Sequence, residues 1–121
     1  MSGTVENLLR LARDSEAATR AVLARNATTP QEVLAFLSKD ADPYVRASVA
    51  VNPRAPFSVL NLLSEDDDVS VREALARRVA GLLPSLSSST HDRLATILQP
   101  ILLRLVEDTA VEIRLIIAEA A

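Results

Sequence analysis

Two stretches of this sequence carry side chains whose types and spacing could do chemistry. In the first, Ser85, Ser87, Ser88 and Ser89 run into His91 and Asp92, which sets a hydroxyl, an imidazole and a carboxylate close together in the chain. Nucleophilic catalysis needs those groups to converge in space, with the nucleophile on a strained turn, and no nucleophile elbow is present. The stretch reads instead as a Pro- and Ser-rich connection in which Ser89 and Asp92 form a capping pair for the helix that follows. The second stretch, Glu65-Asp66-Asp67-Asp68, offers clustered oxygens of the kind a hard cation such as calcium takes. It lacks the glycine and the distal glutamate of an EF-hand loop, and carboxylates at a helix start are favoured by the helix dipole. One histidine and no cysteine argue against histidine- or thiolate-bound zinc, iron–sulfur clusters, disulfides and thiolate catalysis. No catalytic residue, metal ligand or cofactor is therefore expected, and the chain does not read as an enzyme.

The most regular polar feature is a column of arginines, Arg20, Arg46, Arg72 and Arg114, each preceded six residues earlier by an aspartate: Asp14, Asp40, Asp66 and Asp108. A bare row of arginines would suit phosphate. Because every arginine comes with an aspartate, the expected role is a structural Asp–Arg ladder between stacked units, with the bidentate geometry that guanidinium offers carboxylate. Charge agrees. The 121 residues carry 13 basic and 16 acidic side chains, a formal net charge of −3. Residues 1–64 hold seven basic and six acidic residues, and residues 65–121 hold six and ten. Neither half is the basic field that displaces counterions from nucleic acid, so nucleic-acid binding through an Arg-lined groove stands as the alternative rather than the leading expectation.

The elements that must hold these residues follow from a repeat. Shifting the sequence by 26 residues aligns Leu8 with Leu34 and Leu60, Leu11 with Leu37 and Leu63, and Ala24 with Ala50 and Ala76, together with Asn26 on Asn52 and Pro30 on Pro56. A shift of 42 then brings Leu102, Leu105, Asp108, Ile113, Arg114, Ile117 and Ala118 into the same columns, so 16 residues are inserted between about Val79 and Leu94. Each unit reads as two short helices, and the spacing predicts helices near 4–13, 16–26, 30–38, 43–51, 56–64, 69–82, 91–106 and 109–120. The units span about 4–26, 30–52, 56–82 and 91–121 of one domain, with 83–90 as the connection. Thr29-Pro30-Gln31-Glu32 predicts a capping box with proline at the first helical position, Asn52-Pro53 a helix end, and Pro100 a kink near Gln99. Such pairs are too small to hide their own apolar faces and must stack.

The run Val45-Arg46-Ala47-Ser48-Val49-Ala50-Val51-Asn52-Pro53-Arg54-Ala55-Pro56, followed by Leu60, Leu63, Asp66, Asp68 and Val71-Arg72, resembles the leucine-rich repeat variant, a relative of HEAT-like helical repeats. The resemblance covers about residues 5–80, and the last 30 residues look more like an ordinary HEAT repeat. It implies an all-α, right-handed α–α superhelix of about four helix pairs, with second helices that are α or 3₁₀. It also implies an interaction scaffold, as in many uncharacterised bacterial proteins. The period here is longer than is usual for the variant repeat, Arg78-Val79 stands where Asn-Pro would, and the cysteines of some relatives are missing.

Functional expectation then falls on positions that do not recur. If the second helices line one face, its middle holds Tyr44, Ala47, Ser48 and Val51, small and weakly apolar, flanked by Arg25 and Arg77. Such a strip suits a partner helix or extended peptide with Tyr44 as anchor. Leu115 and Ile116 occupy positions that are small or polar in earlier units, so a further unit of a longer chain or a second copy in a homodimer is expected to cover them. No basic region followed by an apolar stretch opens the sequence and no run of about 18 uncharged apolar residues occurs, so neither export nor a membrane span is expected. A cytoplasmic location is the default for a cysteine-free chain.

Overall fold

A computed structural model describes residues 2–84 and 92–120, and among them the chain is all-helical, with no strand. The elements are α1 (Ser2–Leu11), α2 (Ala17–Arg25), α3 (Gln31–Leu37), α4 (Pro43–Ala50), α5 (Phe57–Leu63), α6 (Val69–Leu82), α7 (Asp92–Val106) and α8 (Val111–Ala120). The most extensive packing joins the even-numbered helices: α2 lies against α4, α4 against α6, and α6 against α8. Odd-numbered helices flank this row, with α1 touching α2 and α3, and α7 touching α5, α6 and α8. None of the helices among the described residues is long and apolar enough to cross a membrane.

The leucine columns are the core. Leu34, Leu37, Leu60, Leu63, Leu75, Leu98, Ile101, Leu105 and Ile113 are all fully buried, each worth about 1.5–3 kcal/mol relative to exposure. The alanine column Ala24, Ala50 and Ala76 is fully buried as well. The second helices of the pairs are α-helices of 9, 8, 14 and 10 residues, so the choice between α and 3₁₀ falls to α throughout.

Capping departs from the expected pattern at the first helices. Pro30 is not the first helical residue of α3 but its N-cap, with extended φ and ψ of −63° and 154° and no side-chain cap bond, and Pro56 does the same for α5. The capping box is not made, because the Thr29 hydroxyl turns inward and donates to the Leu23 carbonyl at 2.7 Å. Thr29 is buried, so its hydroxyl needs a partner inside the fold, and it finds one in the Leu23 carbonyl, which also accepts the Asn26 N–H at 3.3 Å at the end of α2. Two of the second helices do carry side-chain caps. Asp42 caps α4 by accepting from the Tyr44 N–H at 2.8 Å ahead of Pro43, and Asp68 accepts from the Ser70 N–H at 2.8 Å at the start of α6. Pro100 stands inside α7, which continues to Val106.

Candidate functional site

The arginine column is built into the junctions between helix pairs. Arg20 Nε and Nη2 donate to Asp40 Oδ2 and Oδ1 at 2.8 and 3.1 Å, and Arg46 does the same to Asp66 at 2.8 and 3.0 Å. Arg72 reaches Asp108 at 2.9 and 3.3 Å, across the inserted residues. The third nitrogen, Nη1, donates back to the carbonyl of the aspartate six residues earlier: Asp14, Asp40 and Asp66, each at 2.7 Å. Each carboxylate also accepts the backbone N–H two residues on, at 2.9 Å, which fixes it facing the incoming guanidinium. The aspartate that an arginine pairs with is therefore that of the following unit, 20 residues on or 36 where the insertion intervenes, while its own unit's aspartate contributes only a carbonyl.

The rungs are mostly shielded from water, with side-chain exposure of 6 to 18%. Burial pushes the Asp40 carboxyl up, but the Arg20 guanidinium and the Asp42 N–H more than offset it, so Asp40 sits below the usual carboxylate range. The hydrogen bonds to Asp40 and Asp66 raise Arg20 and Arg46 in turn, against a smaller opposing effect of burial.

A second set of ties runs parallel to the ladder. Asn52 is 1% exposed, and its amide donates to the carbonyls of Ala24 and Asn26 in the preceding pair at 2.8 and 2.9 Å. In the next pair Arg78, which stands in the asparagine's place, donates to the Pro53 carbonyl at 3.2 Å; burial lowers its pKa from the usual arginine value. The departure from the Asn-Pro ending thus keeps the backward reach with a longer side chain.

Tyr44 is 56% exposed, on the outer side of α4. Arg25 Nη1 donates to its hydroxyl at 2.6 Å, and the guanidinium lies 6.0 Å from the ring centre. Arg25, Tyr44, Ala47, Ser48, Val51 and Ala74 line one shallow, open depression of about 200 Å³. Two expected members of this strip differ. Ser48 is 3% exposed, and its hydroxyl donates to the Tyr44 carbonyl at 2.9 Å, so it supports the floor rather than offering a contact. Its unsatisfied hydroxyl would otherwise be buried, which explains the inward turn. Arg77 does not line the depression and pairs with Glu73 one turn away at 2.8 Å.

The acidic run is divided among structural tasks. Glu65 pairs with Arg104 at 3.0 Å, Asp66 forms a rung, and Asp68 caps α6, its carboxyl held low by the Ser70 hydroxyl and N–H. Among the described residues no group of three or more His, Asp or Glu side chains is placed to hold a metal ion. Ser85, Ser87, Ser88, Ser89 and His91, with the Ser89–Asp92 capping pair, lie outside the described residues. Of the end-face pair, Leu115 is 51% exposed, whereas Ile116 is half-buried and packs against the core.

Sequence reasoning missed Arg104, whose guanidinium gathers Asn61, Ser64 and Glu65 of α5 and the turn after it. No column pointed to it, because Leu62 holds the equivalent place one unit earlier. No family model, curated protein or solved structure matches this chain.

Proposed function

We propose that this chain is a non-catalytic scaffold, a right-handed α–α superhelix of HEAT-like or leucine-rich-repeat-variant units, that receives a peptide or helix of a partner protein on the face around Tyr44. The observation that carries the reading is a division of labour. Polar residues that recur are spent on bonds between helix pairs, while the aromatic ring that does not recur stands exposed beside a small-sided depression. Arg25 holds the Tyr44 hydroxyl, so the ring is set in one orientation and loses little freedom on binding. A rigid aromatic with a polar tip is the kind of side chain that dominates interface energetics.

A protein partner is favoured over nucleic acid because three of the four column arginines already face carboxylates and the net charge is −3. A cytoplasmic location goes with the same reading, since a cysteine-free sequence calls for no oxidising compartment. The test is selection of peptides from a displayed random library on the immobilised chain, repeated on Tyr44→Ala and Val51→Glu. Peptides that bind the parent chain should bind either variant about tenfold more weakly or worse, with helical circular dichroism unchanged. Equal binding to all three removes the strip as the site. Salt-sensitive capture of a DNA or RNA oligonucleotide, tighter than any peptide, would turn the reading to nucleic acid.

A further inference from the structure

The two ends of the helix row carry complementary halves of the junction that is repeated inside it. Leu8, Leu11, Thr19, Val22, Leu23 and Asn26 line an apolar depression of about 380 Å³ on the outer side of α1 and α2. One repeat later, the same register positions are Leu34, Leu37, Val45, Ser48, Val49 and Asn52, and every one of them is buried. In the first pair Val22 is 69% exposed, and Leu11 and Asn26 are exposed as well. The far end shows the converse. Ala24, Ala50 and Ala76 are fully buried but their counterpart Ala118 is exposed, and Ala12, Ser38 and Ser64 are buried where Val106 is exposed.

The polar ties are open in the same complementary sense. Asp14 holds its carboxylate as the paired aspartates do, with Oδ1 accepting the Glu16 N–H at 2.9 Å, yet among the described residues no arginine reaches it. Arg114 holds its guanidinium as the paired arginines do, with Nη1 on the Asp108 carbonyl at 2.6 Å, yet among the described residues no carboxylate meets its remaining nitrogens. The Asn26 side-chain oxygen is taken by Thr28, while its amide nitrogen lacks the two carbonyls that Asn52 finds one repeat earlier.

We infer that a second copy of this chain stacks head to tail on the first, its α1–α2 face over the Val106–Leu115–Ala118 face, with Arg114 of one copy on Asp14 of the other and Asn26 reaching the Ala118 carbonyl. The new junction repeats the chemistry of the internal ones: apolar positions are covered, one bidentate rung closes, and one amide reaches back to a helix end. Two polar ties at a distance from each other fix the register, and the charges forbid pairing like ends. The contact is heterologous, using different faces on the two copies, so assembly continues past the dimer unless it closes into a ring. It does not involve the depression at Tyr44 and stands or falls independently of the partner proposed for that face.

Sedimentation of the full chain tests this. From about 1 μM to about 1 mM, a range that spans weak to moderate contacts, the weight-average mass should climb past that of a dimer. Asp14→Arg alone and Arg114→Asp alone should each be monomeric with unchanged helical dichroism, and so should Val22→Glu, which alters the apolar face and leaves the ladder alone. Mixing equal amounts of Asp14→Arg and Arg114→Asp should restore growth past the dimer, because every alternating head-to-tail contact then sets an arginine against an aspartate. The double swap in one chain should regain self-association. A parent chain that stays monomeric throughout overturns the proposal, and so does an associating parent whose two single swaps fail to combine, since that would mean like faces meet.

Discussion

The junction between α4 and α6 obeys the 26-residue register, whereas the junction between α6 and α8 must be made after 16 more residues, and the comparison separates two layers of the molecule. In the even-numbered row the rung is kept, although α6 runs to 14 residues where α4 has 8. The Nε–Oδ2 distance is 2.8 Å for Arg46–Asp66 and 2.9 Å for Arg72–Asp108, with the same carbonyl contact beside it. In the odd-numbered layer almost everything changes. Helices α3 and α5 have seven residues each and α7 has fifteen, and α7 is tied to α5 by Arg104, which has no counterpart earlier. Register is thus carried by the even helices and their rungs, and the outer layer is free to lengthen.

The largest effect should come from the core of that conserved row. Leu75→Ala empties a fully buried site in α6, between its neighbours α4 and α8, and should cost about 2–5 kcal/mol in urea unfolding. The rungs come next. Arg46→Met should destabilise by about 1–2 kcal/mol because it leaves the partly buried Asp66 without its cation. Arg72→Met should cost the same within about 0.5 kcal/mol if the row ignores the insertion. A much smaller loss for Arg72 would show that α8 is held by α7 instead. Acid should expose the same bonds. Asp40 has a lowered folded pKa, so its contribution is present above the ordinary carboxylate value of 3.8 and disappears as pH falls through the folded value. The thermal midpoint should therefore drop below about pH 4, and Arg20→Met should flatten that drop by removing the cation that lowers Asp40.

How far these features could be read from the sequence depends on whether they recur. Leu34, Leu60 and the Asp and Arg columns declared themselves by repetition, and the helices begin and end within a few residues of the expected places. Spacing did not reveal which aspartate each arginine meets. The one six residues before and the one twenty after are equally regular, and only the packing of α2 on α4 brings the later carboxylate within reach. Thr29, expected to cap a helix, and Ser48, expected in the open strip, differ for a shared reason: a hydroxyl suits an exposed site or a buried carbonyl equally, and burial, invisible in the sequence, chooses the carbonyl. The Tyr44 depression was legible as a set of small neighbours, but the bond from Arg25 that holds the ring was not.

The smallest expected effect is at Arg104, and it bears most directly on the division into layers. Its guanidinium spans Asn61, Ser64 and Glu65, so it is a polar tie between α7 and the α5 region. It is nevertheless more than a third exposed, and Glu65 more so, which leaves water to replace most of what is lost. Arg104→Ala should therefore cost no more than about 1 kcal/mol. Hydrogen exchange adds the sharper readout: amides of α7 should lose protection while those of α8, held through Arg72 and Asp108, keep theirs. Equal loss in both helices would mean that α7 and α8 open as one unit, and that the outer layer shares in setting the register after all.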